Sequence, residues 1–130
     1  MIVDASAILA ILFDEPEGQQ MEDALIAAKA RPVISPVNFL EAAVRVDQLG
    51  SDAKSRKLDD LIESLAIEIT TVTPEQARLA REAYQTFGKG NHKAKLNLGD
   101  CFAYALSKAR CQPLLFKGDD FRMTDIEAAL

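Results

Sequence analysis

Short apolar runs alternate with helical patterns along the whole chain, and this alternation restricts the fold more than any other feature. Ile2-Val3, Pro32-Val33-Ile34-Ser35, Ile67 to Val72 and Pro113-Leu114-Leu115-Phe116 read as strands. Between them, apolar residues recur at helical spacing. Ala7, Ile8, Ile11 and Leu12 form the first such set, broken by Asp14-Glu15-Pro16-Glu17-Gly18. Met21, Leu25 and Ala28 form the second. The third carries Val37, Leu40, Val44 and Leu49, opens on a first-turn proline at Pro36 and stops at Gly50. Ser51 caps a charged helix ending near Leu65, and Thr73 to Gln76 has the spacing of a capping box for a helix that reaches Phe87. Gly88 to Asn97 reads as a polar loop, and Gly99-Asp100 opens a helix with Phe102, Ala103, Leu106 and Ala109. A short helix is expected from Thr124 onward. The pattern predicts an α/β domain whose mainly parallel sheet, of about four or five short strands, is covered by helices on both faces. At 130 residues the chain fits one domain, 1–130.

Several function classes drop out. A hydrophobic share of 48% and a charged share of 27% exclude a disordered chain. No apolar run approaches the roughly 20 residues of a membrane span. Met1-Ile2-Val3-Asp4 has no basic run and an early acid, so no secretory leader is expected and a cytoplasmic location is. Cys101, Cys111 and a single histidine, His92, cannot supply the usual Cys/His zinc site or a disulfide framework. Both cysteines read as small apolar packing residues. Fifteen basic against 20 acidic residues leave a net charge of −5, which by itself argues against a nucleic-acid partner.

The placement of the acids changes that inference. In open parallel sheets, ligands bind beyond the carboxyl ends of the strands. The first strand ends in Asp4, and the last runs into Lys117-Gly118-Asp119-Asp120. Asp100 starts a helix, and Glu41 lies mid-helix beside Ala42-Ala43, with Asn38 three residues earlier on the same side. Each acid has an ordinary reading: Asp4 as a helix cap, Asp100 as a favourable first-turn charge, Asp119 and Asp120 as turn residues, and Glu41 as a side chain leaning to solvent. Together they are four acid positions that can reach one sheet edge. Carboxylates crowded there would repel, and a hard dication with oxygen ligands relieves the conflict. Mg2+ or Mn2+ suits such donors, and a pair of these ions can clamp both oxygens of a phosphodiester displacement. Just before Asp100, the segment Gly88 to Lys95 holds Lys89, His92, Lys93 and Lys95 and no acid. With Lys117, it reads either as a solvated loop or as a strip of contacts to a phosphate backbone.

Val3-Asp4-Ala5-Ser6-Ala7, Asn38-Phe39-Leu40-Glu41, Leu98-Gly99-Asp100-Cys101-Phe102-Ala103 and Leu114-Leu115-Phe116-Lys117-Gly118-Asp119-Asp120-Phe121 occur in the order of a PIN-domain ribonuclease. The chain resembles the VapC toxins of bacterial type II toxin–antitoxin pairs over essentially its full length. That resemblance implies a PIN fold and an Mg2+- or Mn2+-dependent endoribonuclease. It places Asp4, Glu41 and Asp100 on the family's invariant acids, as catalytic residues and metal ligands, with Asp119 as the fourth and Asp120 as its substitute. It gives Ser6 a supporting hydroxyl and makes Asn38 a residue that orients the glutamate. It also implies a homodimer, an RNA substrate, neutralisation by a VapB-type antitoxin, and contact with operator DNA only through that antitoxin. Helices between Met21 and Leu65 are candidates for the dimer surface.

Two rivals remain: a PIN fold that only binds, and a receiver-type signalling domain with an Mg2+ pocket. The receiver reading lacks a phosphoacceptor acid, because the strand from Ile67 runs into Thr73-Pro74. The negative charge also finds a place. The excess of five acids equals the number in or beside the candidate site: Asp4, Glu41, Asp100, Asp119 and Asp120.

Overall fold

The computed structural model describes residues 1–130. In chain order the elements are β1 (Ile2–Val3), α1 (Ala5–Leu12), α2 (Gly18–Ile26), β2 (Val33–Ile34), α3 (Pro36–Asp47), α4 (Asp52–Ser64), β3 (Glu68–Ile69), α5 (Pro74–Phe87), α6 (Leu98–Arg110) and β4 (Leu114–Leu115), followed by a 3-10 turn at Phe121–Met123. The four strands form one sheet in the order β3-β2-β1-β4. All three pairings are parallel.

Each strand is brief, yet period-two alternation still divides its residues between two cores. Ile2, Val33 and Leu114 join α5 and α6 on one face, where Ala80, Ala83, Ala103 and Leu106 pack. Val3, Ile34 and Leu115 join α1 to α4 on the other, with Ile8, Met21, Val46 and Leu58. The chain builds the sheet outward from β1 to β3, then crosses back to lay β4 on the free side of β1. The gap beyond the carboxyl ends of β1 and β4 is therefore the topological switch point, the place where open α/β sheets bind ligands.

Several expectations need correction. Leu40, Val44 and Leu49 are 60%, 44% and 51% exposed, so they do not form the inner face of α3. That face is Asn38, Ala42 and Val46. The third strand keeps only Glu68 and Ile69 of the six-residue run proposed for it, because it pairs on one side only and its far edge meets water. Ala28 lies past the end of α2. The tail from Thr124 is not a helix. It runs extended along β4, where the Leu114 amide donates to the Glu127 carbonyl and the Ala129 amide to the Leu114 carbonyl, both at 2.9 Å. This covers an otherwise open sheet edge. Cys111 is exposed and takes a left-handed backbone at the end of α6. Cys101 is buried as expected, and burial pushes its thiol up to about 11.

Candidate active site

Asp4 ends β1 and caps α1. Its backbone is extended, and its carboxylate accepts from the Ser6 amide at 3.0 Å and the Ser6 hydroxyl at 2.6 Å. The Ser6 Oγ in turn accepts from the Lys117 amide at 3.0 Å, which joins the end of β1 to the chain leaving β4. Burial raises the Asp4 pKa, opposed by the hydrogen bonds from Ser6 and the Ala5 amide.

Asn38 is fully buried on the inner face of α3. Its Nδ2 donates to the Gly99 carbonyl at 2.9 Å and more weakly to Asp4 Oδ1 at 3.4 Å. One amide thus ties α3 to both β1 and α6, while its Oδ1 is buried without a partner. Glu41, one turn on, is half-buried. Burial, then the charges of Asp4 and Asp100, raise its pKa from 4.5 to about 7, with Asn38 pulling the other way.

Asp100 sits in the first turn of α6. Asn97 Oδ1 accepts from the Asp100 amide at 2.9 Å, and Asp100 Oδ2 accepts from the Asn97 amide at 3.0 Å, a reciprocal capping box. The ordinary reading of this acid as a first-turn charge therefore holds, and the same carboxylate lies within Coulombic reach of Asp4 and Asp120. Burial first, then the charges of Asp4 and Asp120, raise its pKa from 3.8 to about 6, against the Asn97 amide. Of the doublet after β4, Asp120 is the acid whose charge reaches Asp100. Both side chains of the doublet are exposed, and their carbonyls accept from the Arg122 and Met123 amides at 3.0 and 3.2 Å.

Gly99 plays a part that the sequence reading gave it no role in. A Cβ built there would stand 2.9 Å from Glu41 Cδ and 3.0 Å from Oε1, and closer still to Oε2. The missing side chain is what lets the Glu41 carboxylate lie against α6. A sequence signal existed, since glycine inside a helix costs about 1 kcal/mol relative to alanine and needs a reason.

These carboxylates are oxygen donors brought within Coulombic reach of one another, beside an unpartnered amide oxygen. That donor set fits a hard dication. No three His, Cys, Asp or Glu side chains close on a single point, so holding an ion requires rotamer adjustment.

The basic segment is more ordered than a polar loop. Gly88 and Leu96 form a parallel bridge, and Ala94 and Leu96 are buried. His92 is tied into the segment by its own contacts. Its Nδ1 accepts from the Ala94 amide at 3.0 Å, and its ring meets Phe87 edge-on at 5.2 Å. Lys89, Lys93 and Lys95 are exposed. The Lys117 ammonium is paired with Glu15 and lies 3.8 Å from Glu17, so it is not a free cation. A separate groove of about 400 Å3 between α5 and α6, lined by Ala77, Tyr84, Leu98 and Phe102 among others, includes none of the acids.

Residues 1–127 match the PIN domain family. Ribonuclease VapC28 of Mycobacterium tuberculosis is 47% identical over 131 aligned residues, covering 100% of this chain and 98% of its own. Ribonuclease VapC of Mycolicibacterium smegmatis is 42% identical, covering 98% of both chains. Among solved structures, the toxin VapC20 of M. tuberculosis, which cleaves the sarcin-ricin loop, superposes with a TM-score of 0.75 at 13% identity, covering 96% of this chain and 95% of that one. A toxin-antitoxin complex from Klebsiella pneumoniae contains a chain with a TM-score of 0.67 at 20% identity, covering 95% of this chain and 92% of that one. The chain belongs to the PIN-domain family, among the VapC ribonucleases.

Proposed function

We propose that this protein is a divalent-ion-dependent endoribonuclease and the toxin of a toxin–antitoxin pair. One observation carries the reading. Asp4, Glu41 and Asp100 come from three separate elements at the switch point, and the latter two have their pKa raised first by burial and then by neighbouring acids, Asp4 and Asp100 acting on Glu41 and Asp4 and Asp120 on Asp100. Like charges brought together at such cost point to a functional site. The VapC relatives named above support ribonuclease activity, and the Klebsiella complex supports an antitoxin partner.

Asp4 and Asp100 would hold Mg2+ or Mn2+, with Glu41 and Asp120 as further carboxylates of the site. Asp120 replaces Asp119 as the preferred fourth acid, because its charge is the one Asp100 feels. When bound, the ion supplies charge neutralisation and Lewis-acid assistance for displacement at phosphorus. The residues of this chain do the rest. Ser6 and Asn38 fix Asp4 through opposite carboxylate oxygens, and Asn38 fixes the first turn of α6 through the Gly99 carbonyl. Glu41, half-buried beside Asp4 and Asp100, is placed to take a proton from an attacking water. Lys89, Lys93 and Lys95 contact the phosphate backbone. Lys117 and His92 serve the fold, holding the α1–α2 turn and the basic loop in place. No helix is long and apolar enough to cross a membrane.

The test is direct. Purified protein incubated with RNA should generate internal cuts in Mg2+ or Mn2+ and none in excess chelator. Equal cutting in both conditions would refute ion dependence, and no cutting of any cellular RNA in either would refute the nuclease.

A further inference from the structure

We infer that Gly99 is a positioning residue for Glu41. It sets the carboxylate by being empty, and Asn38 holds it in place. This rests on the ion-binding reading above and goes beyond it, because it assigns a role to a residue that has no ligating atom of its own in the site.

The geometry is specific. Gly99 is buried in the first turn of α6, one residue before Asp100. The atoms nearest its missing Cβ all belong to the Glu41 carboxylate, with Cδ at 2.9 Å and Oε1 at 3.0 Å. The backbone there cannot drift away, since the Gly99 carbonyl accepts from the buried Asn38 Nδ2 at 2.9 Å. Asn38 and Glu41 lie one turn apart on α3, so the helix that presents the carboxylate also grips the backbone it rests on. Left-handed backbone does not explain this glycine, because it lies inside a regular helix. What a methyl group would strike is the free end of a flexible side chain. Alanine at 99 should therefore fold normally while turning the Glu41 carboxylate out of its seat.

A thermodynamic cycle in Mn2+ affinity tests this, with wild type, Gly99→Ala, Glu41→Ala and the double variant titrated calorimetrically and melted in parallel. Gly99→Ala should weaken Mn2+ binding by about tenfold or more, the scale of lost support around a metal ligand. Its melting temperature should stay within about 4 °C of wild type. In the Glu41→Ala background the same change should have no further effect, because there is no carboxylate left to displace. Unchanged affinity in Gly99→Ala overturns the inference. So does an equal loss in both backgrounds, which would mean that Gly99 acts through its backbone or through Asp100. If wild type takes up no Mn2+, the ion-binding reading itself fails and this inference falls with it.

Discussion

Asp4 is both a helix cap and a site acid, and that dual use decides which substitution is informative. Asp4→Ala removes the cap as well as the charge, at about 1 kcal/mol for the cap alone. Asp4→Asn keeps an oxygen for the Ser6 amide and hydroxyl and removes the charge, losing only the weak 3.4 Å acceptor for Asn38 Nδ2. It should abolish cleavage while leaving the melting temperature in chelator close to that of wild type; cleavage at the wild-type rate would show that Asp4 acts only as a cap. The raised acids also set a pH dependence. Glu41 and Asp100 hold protons in the folded state that they release in the unfolded one, between 4.5 and about 7 and between 3.8 and about 6. The folded state therefore binds more protons in that window, and stability in chelator should decline as pH rises from about 4 to 7. Melting curves across this range, repeated on Glu41→Gln, check the sign, and the variant should show a shallower decline. Asp4 and Asp100 were legible as candidates because they stand at a strand end and a helix start, and Glu41 because a mid-helix acid among apolar residues calls for compensation. Gly99 was not, because its meaning lies in a contact 58 positions away in the chain, with Glu41.

At the scale of elements, strands and helices were legible and helix faces less so. The third helix has apolar residues on two sides, and periodicity alone chose Leu40 and Val44 over Ala42 and Val46. A buried asparagine outweighed hydrophobicity, because Asn38 bonds to both Asp4 and Gly99 and so turns the helix. The extended tail was hidden for a related reason, since its partner is a strand edge that exists only after folding. One strained connection is open to test. Ala66 follows α4 with φ of 50°, a left-handed conformation in which glycine is favoured over alanine. Ala66→Gly should stabilise the protein by about 1 kcal/mol in urea unfolding. The tail is pinned to α6 through Asp125, which accepts from the Tyr104 hydroxyl and pairs with Lys108, both at 2.7 Å. Asp125→Asn should cost about 1 kcal/mol, because the pair is largely exposed.

For the whole molecule, strand order matters more than any single acid. With order β3-β2-β1-β4, the ends of β1 and β4 become neighbours, and Ser6 links them through the Lys117 amide. Alternation of elements predicted the parallel sheet, but the order follows from which edge each crossover returns to, and no local pattern encodes that. The net charge of −5 is likewise a property of placement. Its excess gathers at the site, while Lys89, Lys93 and Lys95 lie exposed on the segment leading to Asp100. Changing these three lysines to alanine should flatten the salt dependence of RNA binding, reducing the slope of log affinity against log salt by about 2. An unchanged slope would remove the segment from the RNA surface. The central claim is that Asp4 and Asp100 share one divalent ion at this switch point. Crystals grown with Mn2+ and measured at its absorption edge test it most directly. An anomalous peak between the two carboxylates is predicted. Its absence at full Mn2+ loading, or a peak only elsewhere on the protein, would contradict the account.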